Sequence, residues 1–125
     1  MKLFATIIIV SLLLSGCSKD STEKDNELPV VTLSSPANNQ VFNAGQNVSI
    51  TGNISDNKKI SEVHVHISNN TTGTLLIDIH RYPETTTYTL NETFQTHAGI
   101  QYKIQVIAKD NSANEKRATV EISSN

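Results

Sequence analysis

Residues 47–68 read NVSITGNISDNKKISEVHVHIS, and this stretch decides the fold. Apolar and polar side chains alternate over residues 47–55 and again over residues 60–68, whereas the polar run of residues 56–59 breaks the alternation. A period of two residues is typical of a β-strand with one buried face, because successive side chains point to opposite faces. The stretch therefore predicts two strands with these inward side chains: Val48, Ile50, Ile54, Val63, Val65 and Ile67.

The same alternation recurs in short segments on both sides of this stretch, and residues that favour turns separate the segments. Helical periodicity is absent from residue 28 onward. We predict an all-β domain, a single seven-stranded β-sandwich of roughly 95 residues, which is the size of an immunoglobulin-like domain. The other predicted strands cover residues 30–33, 74–82, 86–94, 101–109 and 116–123.

Two motifs resemble a known family of domains. Residues 29–36 read PVVTLSSP and are followed by Val41-Phe42, which resembles the opening of bacterial Ig-like domains. Residues 102–110, YKIQVIAKD, are similar to the penultimate strand of that family, and also to fibronectin type III and cadherin repeats. The resemblance covers residues 28–122 and implies an Ig-like sandwich. It implies no single function, because this fold hosts many unrelated roles.

The N-terminus has the composition of a secretory signal peptide. Met1, Lys2 and Leu3 form a short basic start, and residues 5–14, ATIIIVSLLL, are almost purely apolar. Such a stretch is too short to cross a bilayer core of about 30 Å, which takes roughly 20 helical residues. It fits the apolar region of a signal peptide, which we place at residues 1–16.

Leu14-Ser15-Gly16-Cys17 resembles the lipobox of bacterial lipoproteins. This resemblance implies cleavage between Gly16 and Cys17, and acylation of Cys17 with several lipid chains such as palmitate. Several acyl chains give stable membrane anchoring, where one chain alone is marginal. Cys17 is the single cysteine in the sequence, and lipidation accounts for it without redox, metal or catalytic chemistry.

Residues 17–27 are predicted to form a lipidated, disordered tether, followed by the Ig-like domain at residues 28–125. Residues 18–27, SKDSTEKDNE, contain no apolar side chain and cannot bury enough surface to fold. The start of this stretch resembles the acidic surface-export signal of Bacteroidetes-type lipoproteins, and the whole layout resembles small lipoproteins of such bacteria. We therefore expect a lipid-anchored protein of the bacterial cell envelope, at the outer membrane and displayed on the cell surface. The alternative is a plain solvated linker without an export signal.

The composition argues against two classes of function. The chain carries 10 Lys and Arg against 12 Asp and Glu, a net charge of −2, and removal of Lys2 with the signal peptide lowers the first number to 9 and the net charge to −3. Phosphate binding needs clustered Lys and Arg, so we expect no nucleic-acid partner. No Gly-rich phosphate loop, nucleophile elbow or HExxH motif occurs, so we expect no enzymatic activity. A monomer is the expected state.

Two predicted strands carry histidines at a spacing that suits a metal ion. His64 and His66 point to the face opposite the buried valines of their strand, and Asp78 and His80 alternate likewise on the next strand. If the two strands pair in register, all four side chains share one exposed face. Imidazole and carboxylate are ligands for Zn²⁺ or Cu²⁺. The alternative is a polar solvent face without a ligand, and a one-residue slip in register would separate the four side chains.

Loop residues give a second candidate cation site. Asp56 lies in the break after the second predicted strand, and Asp110, Asn111 and Asn114 lie before the last one. In a sandwich of this topology both loops lie at the same end, where carboxylate and amide oxygens could hold Ca²⁺. The alternative is that these residues serve only as turn formers. Zn²⁺ and Ca²⁺ are thus the candidate ligands, and the sequence requires no cofactor.

The sequence leaves three functional hypotheses. The first is a membrane-anchored, non-enzymatic binding, adhesion or accessory role through the Ig-like domain, with a protein or glycan ligand that the sequence does not identify. The second is a metal-binding lipoprotein that uses the strand-face histidines. The third is a purely structural component of the envelope.

Overall fold

Seven β-strands and no helix make up the part of the chain that this computed structural model describes, which is Gly16 and residues 23–125. The all-β prediction is confirmed. Within this part, no helix is long and apolar enough to span a membrane. The remaining residues of the predicted signal peptide, and residues 17–22 of the predicted tether, lie outside the described residues. In chain order the strands are β1 (Val30–Ser35), β2 (Gln40–Phe42), β3 (Asn47–Asn69), β4 (Leu75–Arg81), β5 (Thr85–Gln95), β6 (Gln101–Asp110) and β7 (Glu115–Ser124).

Strand β3 belongs to both layers of the sandwich. Its first part, residues 47–55, pairs antiparallel with β1 and β5, and its second part, residues 60–69, pairs antiparallel with β4 and β6. Strand β7 extends the second layer by pairing with β6, and β2 joins β7 in parallel. One layer therefore has the order β1-β3-β5 and the other has the order β4-β3-β6-β7-β2, which confirms the predicted sandwich.

Residues 56–59 mark the passage of β3 from one layer to the other. The sequence predicts a break between two strands here, whereas the backbone stays extended and β3 runs as one strand of 23 residues. What changes is the pairing, because the register with β5 shifts between Ser55 and Ile60. Two predicted strands thus form one, but β2 is a strand that the sequence analysis does not predict. The total number of strands therefore remains seven. With three residues, β2 is too short to display a period of two.

Alternation along β3 separates a buried face from an outer face. The side chains predicted to point inward from this strand are all at most 1% exposed, and each such aliphatic group contributes roughly 1.5–3 kcal/mol through its removal from water. Phe94 and Tyr102 pack edge to face beside them, with 5.2 Å between the ring centroids. Because the inward face is fixed by this packing, the intervening residues of β3 are held on the outside. The other core residues are Ile60, Leu90, Ile104, Val106, Ala108 and Ile122.

Strand β1 lies so close to β3 at Gly52 that a side chain there has no room. Gly52 pairs with Leu33 of β1, and a Cβ atom at this position would overlap the carbonyl oxygen of Thr32. Backbone atoms of a paired strand cannot move aside without disturbing the hydrogen bonds of the ladder. Glycine at this position therefore allows β1 to close on β3.

We expect Gly52→Ala to destabilise the domain by about 1–3 kcal/mol, the usual cost of forcing an extra methyl group into filled space. Urea denaturation of the full-length protein in detergent measures this change. The matched control is Asn53→Ala, because Asn53 is exposed and such substitutions usually change stability by ~0.5 kcal/mol or less. Equal unfolding midpoints for the two variants would contradict the close approach of β1 to β3.

Candidate metal centres

The histidines of β3 lie on the outer face of the sandwich. Val63 and Val65 are 0% exposed in the core, so His64 and His66 alternate with them and point to the other side of the sheet. Among the described strands, β4 pairs only with β3 and lies at the edge of its layer. The outer face of this edge therefore presents imidazole side chains to solvent.

The pairing of β3 with β4 brings the four predicted residues together. His64 lies directly opposite His80, and His66 lies directly opposite Asp78. Side chains at directly opposite positions of an antiparallel pair are close enough to interact, since their Cβ atoms are about 4.5–5.5 Å apart. The register required by the sequence hypothesis is the register that the structure has.

The carboxylate of Asp78 lies beside two histidines. Its Oδ2 atom lies 2.8 Å from Nε2 of His80, and its Oδ1 atom lies 3.3 Å from Nε2 of His66. The hydrogen bond from His80 holds the pKa of the Asp78 carboxyl below its ordinary value, and positive charge on His80 and His66 acts in the same direction against partial burial. The carboxylate is therefore ionised and fixed in place beside the imidazoles.

His64 has a ring nitrogen without a hydrogen bond. Its ring centroid lies 4.1 Å from that of His80. Its Nε2 atom lies 3.2 Å from Oε2 of Glu62, but the geometry does not make a hydrogen bond and the atom is closed to solvent. The same Glu62 oxygen forms a salt bridge with Lys109, whose Nζ atom lies 3.8 Å away. An unsatisfied buried polar atom lowers the stability of the fold by roughly 1–3 kcal/mol. A ligand bound to Nε2 of His64 would remove this cost.

Three of the four residues form a group that could hold a metal ion. Ligand atoms of His64, Asp78 and His80 lie within 4.8 Å of one another. Ligand atoms around tetrahedral zinc are about 3.3 Å apart, given bonds of ~2.0 Å, so small side-chain rotations would close the site. His66 lies outside this group, with its Nε2 atom 3.3 Å from the other carboxylate oxygen of Asp78, a position from which it can orient that ligand. The sequence hypothesis treated His66 as a ligand, and the structure gives it this supporting position.

A second group of acidic residues lies at the end of the sandwich where β3 changes layers. Ligand atoms of Asp25, Asp56 and Asp110 lie within 4.8 Å of one another. Asp110 is 1% exposed, and its Oδ1 atom accepts hydrogen bonds from the backbone N–H groups of Ser112 and Asn114, each at 2.8 Å. Asp110 thus closes its own loop while it faces the other two carboxylates.

The predicted calcium ligands divide between this group and the surrounding loop. Asp56 and Asp110 are members of the group, as proposed from the sequence. Asn114 is beside it, but in this arrangement its Nδ2 atom donates to Oδ2 of Asp110 at 2.7 Å rather than offering an oxygen. Asn111 is exposed and donates its backbone N–H to the carbonyl of Lys59, so it lies in the loop and not in the group.

Asp25 is the member of this group that the sequence analysis missed. It belongs to the predicted disordered tether, yet it is only 9% exposed. Its Oδ1 atom accepts a hydrogen bond from Nδ2 of Asn57 at 3.1 Å, and its carbonyl accepts one from Nδ2 of Asn114 at 3.0 Å. Asp25 therefore lies in a part of the predicted disordered tether that hydrogen bonds hold against the domain, because two loops distant in sequence supply partners that no local pattern reveals.

The environments of these carboxyl groups shift their pKa values in opposite directions. The hydrogen bond from the Asn57 side chain, followed by that from the Glu27 backbone, holds the pKa of Asp25 below its ordinary value. Burial raises the pKa of Asp56, and the negative charges of Asp110 and Asp25 add to this rise against the hydrogen bond from the Lys58 backbone. Folding thus disfavours the charge on Asp56 and favours the charge on Asp25.

The predicted lipidation residue Cys17 lies outside the described residues. Gly16, on the other side of the predicted cleavage bond, is exposed. The anchor therefore stays a prediction of the sequence.

Comparison with known proteins identifies the family of the domain. The family described as Bacterial Ig domain matches residues 29–122, which is most of the chain. A search of curated proteins gives no match.

Similar solved structures share the fold at low sequence identity. A superoxide reductase (neelaredoxin) from Ignicoccus hospitalis superimposes with a TM-score of 0.54 at 13% identity, covering 78% of this chain and 80% of the other. A structure of fibronectin(III)-like modules of Clostridium thermocellum CbhA superimposes with a TM-score of 0.51 at 24% identity, covering 78% of this chain and 47% of the other. Identities in this range show a common fold, and no activity is carried over from either protein.

Asp56→Asn should raise the unfolding temperature of the metal-free protein near neutral pH. A carboxyl whose pKa is raised by folding costs stability once the pH exceeds its ordinary value of 3.8, and Asn removes that charge. The difference between variant and wild type should therefore shrink as the pH falls towards 3.8 and below. Thermal unfolding in EDTA from pH 3 to pH 8 measures it, with the exposed Glu121→Gln as control. A less stable Asp56→Asn at neutral pH would contradict the repulsion among these carboxylates.

Proposed function

Because this chain belongs to the bacterial Ig domain family, we propose that it acts by binding rather than by catalysis, as a lipid-anchored accessory protein of the bacterial envelope. Ig-like and fibronectin type III-like domains are typically non-catalytic, and their fold serves as a scaffold on which binding sites are placed. The order of segments in the sequence supports an anchored form of this role. An apolar stretch, the run Leu14-Ser15-Gly16-Cys17 and a polar stretch precede the domain.

The proposed ligand is a transition-metal ion at the outer face of β3 and β4. The observation that carries this proposal is the register of the two strands, which sets His64 opposite His80 with Asp78 beside them. Two imidazole nitrogens and one carboxylate oxygen leave one tetrahedral position for water or a further ligand, a donor set that suits Zn²⁺ or Cu²⁺. Their side chains are 24–38% exposed, so the group as a whole faces solvent, although Nε2 of His64 is itself closed to it.

A protein or glycan ligand is the competing binding hypothesis, and a purely structural role is the third. A metal site at the edge of a sheet is compatible with the first of these, because an ion with an open position can bridge to a partner. The metal-free and metal-loaded proteins on a glycan or protein array would separate the two binding hypotheses, since a bridging ion makes capture depend on the metal.

Cys17→Ala should leave an unprocessed precursor without lipid, because the thiol is the acceptor of the diacylglyceryl group in the proposed anchor. Globomycin sensitivity, metabolic labelling with palmitate and membrane fractionation measure this outcome. Ser18→Ala is the control, since it changes the neighbouring residue and keeps the thiol. Lipid label on a processed Cys17→Ala protein would rule out Cys17 as the anchor.

His64→Ala/His80→Ala should weaken Zn²⁺ binding at least tenfold, because it removes two of three ligands. His66→Ala should weaken it less, because His66 lies outside the group of three ligands and only adjoins the carboxylate of Asp78. Isothermal titration of the full-length protein in detergent with Zn²⁺ measures both, and circular dichroism verifies that each variant keeps its strands. Binding of Zn²⁺ should also weaken as the pH falls, because protons compete with the metal ion for the ligand atoms.

The matched control for this pair is His97→Ala. His97 is exposed, and it lies between β5 and β6 rather than on the outer face of β3 and β4. Its loss should leave the affinity for Zn²⁺ unchanged. Equal affinities for wild type and the double variant would refute the histidine site while leaving the anchor proposal intact.

A further inference from the structure

Three carboxylates converge at one end of the sandwich. The segment before β1 contributes Asp25, the layer passage of β3 contributes Asp56, and the end of β6 contributes Asp110. None of the three takes part in a salt bridge within the part of the chain that the structure describes. Buried charges of one sign are costly unless they are paired or coordinate a metal.

Two oxygen atoms of this group have no hydrogen-bond partner among the residues that the structure describes. They are Oδ2 of Asp25 and Oδ1 of Asp56, and both are closed to solvent. Asp25 as a whole is 9% exposed, so its free oxygen is a buried, unpartnered acceptor within the group. A role in forming the turn accounts for Asp110, whose Oδ1 atom accepts two backbone hydrogen bonds. It does not account for the burial of the two unpartnered oxygens of Asp25 and Asp56.

We propose that Asp25, Asp56 and Asp110 bind a Ca²⁺ ion that clasps the N-terminal segment onto the Ig-like domain. The donors are hard carboxylate oxygens without imidazole or thiolate, which favours Ca²⁺ over Zn²⁺ or Cu²⁺. Ligand atoms up to 4.8 Å apart fit bonds of roughly 2.3–2.6 Å better than the compact octahedron of Mg²⁺. Water would supply the remaining coordination positions, because the side chains of Asn57 and Asn114 turn their amide nitrogens toward the carboxylates.

The ion would join a segment outside the domain to two loops within it. Without the ion, Asp25 is held by three hydrogen bonds, from the Asn57 side chain, the Glu27 backbone and the Asn114 side chain. With the ion, the carboxylate of Asp25 and the carboxylates of the two loops would bind the same cation. Their mutual repulsion would then be replaced by attraction to that cation. Ca²⁺ thereby fixes residues 23–27 against the two loops, and with them the point at which the predicted tether joins the domain. The consequence for display at a membrane rests on the proposed lipid anchor, whereas the binding of Ca²⁺ does not.

Titration of the EDTA-treated, full-length protein in detergent with CaCl₂ tests the site. Wild type should bind one Ca²⁺ per chain, and Asp25→Asn should lower the affinity at least tenfold. This variant keeps an oxygen for the hydrogen bond from Asn57 and changes no residue of the sandwich, so it should fold. Absence of binding by wild type at 5 mM CaCl₂, or a loss below tenfold in Asp25→Asn, would overturn the proposal.

Two control variants separate this site from its surroundings and from the histidine face. Glu27→Gln removes an exposed carboxylate two residues from Asp25 and should leave Ca²⁺ affinity unchanged. His64→Ala/His80→Ala should also leave it unchanged, so that failure of either metal site is seen independently of the other. A tenfold loss in Glu27→Gln would show general attraction to negative charge and would contradict a defined site.

Amide hydrogen exchange tests the clasp itself. The backbone N–H groups of residues 23–27 should exchange at least tenfold more slowly with saturating Ca²⁺ than in EDTA, because the segment becomes fixed to the loops. The same comparison in Asp25→Asn should show no change. Unchanged exchange in wild type, at a Ca²⁺ concentration that saturates binding, would overturn the clasp.

Discussion

The structure depends on the continuous extension of β3 through both layers of the sandwich. This strand pairs with β1 and β5 in one layer and with β4 and β6 in the other, so four of the other six strands are positioned by it. Its inward side chains form the centre of the core. Both candidate metal centres follow from the same strand, because its outer face carries His64 and its layer passage carries Asp56.

Alternation is the part of this arrangement that the sequence predicts well. The rule that sends Val63 and Val65 into the core also sends His64 and His66 outward, so the histidine face is a consequence of the core. Register follows from the same constraint, since a slip of one residue would turn every valine of the strand into solvent. The family resemblance found in the opening motif agrees with the domain match over residues 29–122.

The parts that the sequence does not predict depend on contacts between distant segments. Asp25 lies in a polar run whose composition indicates a solvated linker, and its burial depends on Asn57 and Asn114, which are 32 and 89 positions away. Strand β2 is defined by its pairing with β7 rather than by its own pattern. The layer passage reads as a break because its polar residues do not alternate, although the backbone continues.

The two proposed centres differ in the chemistry they offer and in their place on the domain. The histidine face is partly exposed and uses nitrogen ligands that must lose protons to bind. The acidic group is buried at the end of the sandwich and uses oxygen ligands at the start of the domain. A single domain could therefore respond to two kinds of ion, one that opens a binding position and one that fixes the tether.

A crystal structure of the Zn²⁺-loaded protein, with anomalous data collected on both sides of the zinc absorption edge, tests the central claim most directly. The register of β3 and β4 predicts one zinc peak about 2.0–2.2 Å from a ring nitrogen of His64, a ring nitrogen of His80 and a carboxylate oxygen of Asp78. A saturated crystal with no zinc peak at this face, or with zinc held only at other residues, would contradict the account.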